Sequence, residues 1–180
     1  MDSGRDFLAY FEPYDNNFKE WTNPFHNSPI GDQVVFANNE SKGSILSKAQ
    51  LVIFGYPGSE ESVGIRQQLY SLSDHFPPSS IIDLGTLKEG KTKTDTESGI
   101  RDVVAELAKN NKTIIILGGK SHDTLSLYKA YLKLEQTINI CGIDSGIPLS
   151  NEIKSSKSHY LNNILLNKNN KLFDYTHLAY

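Results

Sequence analysis

The segment Ile114–Thr124, IIILGGKSHDT, gathers the residue types most able to do chemistry: paired glycines, then lysine, serine, histidine and aspartate in succession. A strand running through glycines into a helix start is where open α/β sheets place ligands. Glycine permits the tight turn, and the free N–H groups of a helix start attract an anion. Gly118, Gly119, Lys120 and Ser121 therefore make a candidate ligand turn. Gly119-Lys120-Ser121 also matches the end of a phosphate-binding P-loop. That pattern needs a glycine five residues before Gly119, where this chain has Ile114 inside the apolar run. No loop is left to wrap a phosphate, which argues against nucleotide binding.

His122, Asp123 and Asp144 form a second candidate set, because imidazole with carboxylate suits divalent zinc or manganese. Asp144 follows the apolar run Ile138–Ile143, so it lies at a strand's carboxyl end, on the same sheet edge as His122. The competing reading makes such an aspartate a turn or helix cap, here followed by Ser145-Gly146. The other histidines, His26, His75, His159 and His177, stand alone and read as surface or packing residues. Cys141 lies in a strand-like run with no nearby base, so an activated thiolate is not expected. No serine sits in a G-x-S-x-G elbow.

These residues must be positioned by an alternation of strands and helices. Leu51–Gly55, Ile81–Leu84, Thr113–Leu117 and Ile138–Ile143 are short, continuously apolar runs, as parallel strands covered on both faces require. Three helical patterns lie between them. The clearest opens on Thr94-Asp95-Thr96-Glu97, which reads as a capping box, and lines up Ile100, Val103, Val104, Leu107 and Ala108 on one face. Another begins near Ser121 or Asp123 and presents Leu125, Tyr128, Tyr131 and Leu132. The third spans Val63–Phe76 with Ile65, Leu69 and Leu72 as its apolar face. Further on, Ser158–Leu166 predicts an amphipathic helix with Leu161, Ile164 and Leu165 inward, and the residues after Lys171 could start another strand. The alternation implies right-handed crossovers and an α/β fold, three-layered with a mainly parallel sheet.

Residues 1–48 differ in texture. They carry Phe7, Tyr10, Phe11, Tyr14, Phe18, Trp21, Phe25 and Phe36 without a sustained period, so they read as an aromatic arm packed on the domain formed by 49–180. A partner-binding arm is the alternative. The net charge of −3 gives no electrostatic reason to expect nucleic acid or an anionic membrane. No apolar run is long enough to cross a bilayer, the first residues do not resemble a signal peptide, and the lone cysteine cannot form an internal disulfide. A cytoplasmic location is the expectation.

The ordered landmarks LVIFGYP (Leu51–Pro57), Gly64-Ile65-Arg66, Ile82-Asp83-Leu84-Gly85, Ile115–Gly119 and Gly142-Ile143-Asp144-Ser145 resemble the first half of the ureohydrolases, the arginase, agmatinase and formimidoylglutamase family. The formimidoylglutamase-like branch is the nearest in flavour, over about residues 49–180. The resemblance implies a fold built for hydrolysing amidine or guanidino C–N bonds with water held between two manganese ions. It also implies where the ligands should be. The family's Gly-Gly-Asp-His-Ser falls on Gly118–His122, which puts Ser121 where the histidine belongs; His122 fits only after a shift of one residue. Its Asp-x-His-x-Asp falls on Asp144–Pro148, where Gly146 and Pro148 replace the second and third ligands. The loop after the first strand is shortened to Gly58–Ser62.

No manganese is expected at Ser121, His122, Asp144, Gly146 and Pro148, and no other cofactor. The expectation is a non-catalytic subunit with a protein partner or a homo-oligomeric state. The alternative is a manganese-dependent hydrolase of the family's kind, or a part of one. The family places two strands from its second half between the third and fourth runs. Without them, Ile138–Ile143 is expected to pair directly with Thr113–Leu117 in a flavodoxin-like order 2-1-3-4(-5), counting from Leu51–Gly55; otherwise another chain supplies the missing strands.

Overall fold

A computed structural model describes residues 7–13, 30–37, 44–73, 80–149 and 159–178. They belong to two compact units. Unit 1 takes Met1–Thr96 and Asn110–Gly119; unit 2 takes Glu97–Lys109 and Lys120–Tyr180.

In unit 1, β1 is Phe11–Glu12, β2 Val34–Phe36, α1 Ser44–Lys48, β3 Leu51–Gly55, α2 Glu61–Ser71 and β4 Ile81–Leu87. Helix α3, Lys93–Lys109, begins in unit 1 and continues in unit 2, and β5 is Thr113–Leu117. Strand β3 lies between β4 and β5 and is parallel to both, with Leu51 opposite Ile81 on one side and Thr113 on the other. This is the expected order for the first three runs. Val52, Ile53 and Phe54 are buried, the burial that suits a central strand with continuous apolar character.

The described parts of the first 48 residues extend this sheet. β2 pairs parallel with β4, and β1 pairs antiparallel with it, Phe11 opposite Leu87. Phe11 is buried, and its ring meets Phe54 edge-on at 5.5 Å between centroids. Strands of two or three residues are too short to show a period, so sequence patterning passes over them. Tyr14, Phe18, Trp21 and Phe25 lie outside the described residues.

Helix α2 turns a different face inward from the one its apolar residues predict. Ile65 and Leu72 are exposed, whereas Ser62, Arg66 and Tyr70 are buried. The reason is a buried charge on the neighbouring strand: Asp83 of β4 binds both Arg66 and Tyr70, and that network outweighs the burial of two aliphatic side chains. The start of α3 is also displaced from Thr94. Thr92 Oγ1 accepts the Asp95 N–H at 3.2 Å, and Asp95 Oδ2 accepts the Thr92 N–H at 3.0 Å, so the reciprocal cap lies two residues earlier. Ile100, Val103, Val104 and Leu107 of α3 are buried as their spacing predicts.

In unit 2, α4 is Thr124–Lys133, β6 Ile138–Ile143, α5 Tyr160–Leu165 and β7 Leu172–Leu178. Tyr128, Tyr160, Leu161 and Ile164 form its core, joined by Leu125, Leu132, Ile138, Ile140, Leu172 and Tyr175. Fully burying side chains such as Leu161 and Ile164 contributes about 1.5–3 kcal/mol each. Leu165, expected inward, is exposed. Tyr128 anchors the turn before β7, donating to Asn170 Oδ1 at 2.7 Å and accepting the Lys171 N–H at 2.9 Å.

The expected pairing of Ile138–Ile143 with Thr113–Leu117 is not what the chain adopts. β6 pairs parallel with β7 in a sheet of two strands, while β5 pairs with β3. The β6–α5–β7 succession is a crossover unit in which consecutive strands neighbour each other, and β7 supplies β6 with a hydrogen-bonded partner. The placing of the final strand beside Ile138–Ile143 agrees with expectation. β6 also departs from two-sided burial: its residues alternate between half-buried and exposed, so one face is open. The fold is α/β with mainly parallel strands; among the described strands only β1 runs antiparallel.

Candidate functional site

The candidate ligand turn begins where β5 ends. Gly118 and Gly119 have φ of +84° and +86°, a left-handed backbone that glycine adopts without strain. Gly118 is required twice over, since a β-carbon there would run into the Ser59 side chain from the shortened loop before α2. The boundary between the two units falls between Gly119 and Lys120.

Beyond it, Ser121–Asp123 form a single 3-10 turn leading into α4. Asp123 is buried and serves the backbone: its Oδ2 accepts the Lys120 N–H at 2.7 Å, and its own N–H donates to the Lys120 carbonyl at 2.8 Å. His122 Nε2 stands 3.3 Å from Asp123 Oδ1. The place where an incoming anion would meet the Lys120 N–H is thus taken by the chain's own carboxylate, which also repels negative charge. Asp144 has a similar local role at the end of β6. Its Oδ1 accepts the Ser145 N–H at 2.7 Å and the Ser145 hydroxyl at 3.3 Å.

Ser121 is exposed at the start of its turn, and Pro148 offers no donor. A β-carbon at Gly146 would meet nothing within 4 Å. Among the described residues no group of three or more His, Cys, Asp or Glu side chains is placed to hold a metal ion, so His122, Asp123 and Asp144 do not make one. Among the described residues, Ser121, Gly146 and Pro148 do not supply the imidazole and carboxylate donors that a two-manganese centre would need. His26 and His75 lie outside the described residues.

Two polar clusters escape a sequence reading. In unit 1, Arg66 Nε donates to Asp83 Oδ2 at 2.7 Å and Nη2 to Asp83 Oδ1 at 3.1 Å; Nη2 also reaches the Gly85 carbonyl at 2.8 Å. Tyr70 donates to Asp83 Oδ2 at 2.6 Å, and the Gly85 N–H to Oδ1 at 2.8 Å. Burial, then the adjoining Asp83 charge, holds the Tyr70 phenol protonated far above its usual range. Arg66, Asp83 and Gly85 belong to the landmarks Gly64-Ile65-Arg66 and Ile82-Asp83-Leu84-Gly85, and with Tyr70 they fasten α2 to β4. An aspartate inside an apolar strand run was the signal available in the sequence.

In unit 2, Tyr175 and His177 stack at 6.1 Å, with the Tyr175 hydroxyl 3.2 Å from His177 Nδ1. Both groups crowd the space over Gly142, where a β-carbon would lie 2.8 Å from the Tyr175 hydroxyl. Burial, then a hydrogen bond with Tyr175, pushes the Tyr160 phenol up to about 12. The period-two spacing of Tyr175 and His177 on a strand was the legible clue.

No family model and no curated protein matches the chain by sequence. Solved structures do. The chain superposes on Trypanosoma cruzi formiminoglutamase with Mn2+ at a TM-score of 0.61 and 12% identity, covering 77% of this chain and 57% of that one. The fold is that of the ureohydrolases. Formimidoylglutamase from Bacillus subtilis gives a TM-score of 0.60 at 13% identity over 97% of this chain and 56% of that chain. An arginase-like protein from T. brucei gives 0.54 at 19% identity, over 76% and 56% respectively. The chain spans somewhat over half the length of these ureohydrolases. Among the described residues no helix is long and apolar enough to cross a membrane.

Proposed function

We propose that this chain is a non-catalytic protein on a ureohydrolase fold that acts as a binding or assembly subunit in the cytoplasm, with a protein partner or a second copy. The observation that carries the reading is the state of the two ligand stretches. Ser121, Gly146 and Pro148 stand where the resemblance calls for metal ligands, and Asp123 and Asp144 are engaged in local backbone turns. A binuclear centre needs several carboxylates and imidazoles converging within bonding distance of two cations, and glycine and proline bring no donor atom. Metal analysis of the purified chain, with assays on formimidoylglutamate, agmatine and arginine in added manganese, tests the reading. The expected result is no stoichiometric manganese and no turnover above buffer. Two tightly held manganese ions per chain, or manganese-dependent hydrolysis, would overturn it.

The second reading is a manganese-dependent hydrolase of amidine or guanidino C–N bonds, or a part of one. The likeness to a formiminoglutamase with Mn2+ supports it. The same assays decide between the two.

A further inference from the structure

We draw no further inference here: the strongest candidate, the Tyr160–Tyr175–His177 side-chain cluster towards the carboxyl ends of β6 and β7, leaves the buried His177 Nε2 without a hydrogen-bond partner among the described residues, and nothing in the structure shows what ligand would meet it.

Discussion

Arg66 of α2 and Asp83 of β4 meet in a two-pronged ion pair, Nε to Oδ2 at 2.7 Å and Nη2 to Oδ1 at 3.1 Å, with both side chains fully withdrawn from solvent. Burying such a pair in place of apolar residues gains little, but removing one partner strands the other charge. Arg66→Ala or Asp83→Ala should therefore destabilise the chain by about 3–5 kcal/mol, read from the urea midpoint. Arg66→Met with Asp83→Leu should cost less than either single change. A double variant as damaged as the sum of the singles would refute this account of the pair.

Gly85 has a φ of +85°, and a β-carbon there would strike the Glu12 carbonyl of β1. Gly85→Ala should cost about 1–3 kcal/mol through backbone strain. It should also loosen β1 more than β3. Hydrogen exchange checks this: protection at Phe11–Glu12 should fall while that of Val52–Phe54 persists. Unchanged protection at β1 would show that the strand tolerates the added methyl.

Asp123 distinguishes a helix cap from a metal ligand. If its carboxylate serves the Lys120 N–H, Asp123→Ala should lower stability by about 0.5–2 kcal/mol in metal-free buffer, and added manganese should not alter the difference. Calorimetric unfolding with and without chelator decides it. A destabilisation that appears only with metal present would restore a ligand role to this turn.

Tyr160 predicts a response to alkali. Its phenol is raised from the usual value of 10.0 to about 12, so folding favours the protonated form. Below pH 10 both folded and unfolded chains are protonated and the whole contribution is present. From there to about pH 12 the unfolded chain releases its proton first, and the contribution is lost as pH rises. The guanidinium midpoint of wild type should fall more steeply across this window than that of Tyr160→Phe. Equal slopes would mean that the phenol is not perturbed by folding.

Much of the fold was legible because buried strands must be apolar and short. Leu51–Gly55, Thr113–Leu117 and Ile138–Ile143 carry the same bounds in sequence and structure. What escaped was partner choice. The pairing of β6 depends on whether β5 or β7 meets it, and no residue within Ile138–Ile143 encodes that decision. The inward face of α2 escaped because a charged residue, Arg66, outranks Ile65 once an aspartate lies buried opposite. At the candidate site, the residue types at Ser121, Gly146 and Pro148 are readable one at a time. The capping duty of Asp123 is not, since it depends on the geometry of a turn.

The division of the chain bears on the order in which it can fold as it leaves the ribosome. Most of α3, residues 97–109, belongs to unit 2, yet it is synthesised before β5, which unit 1 still lacks at that moment. Strand β3 cannot acquire its second neighbour until Thr113–Leu117 emerge, and the body of α3 must wait for Lys120 onward to complete its unit. Neither unit can close by simple N-terminal-first folding of domains. During that interval the nascent chain presents an unfinished sheet edge and an apolar helix together.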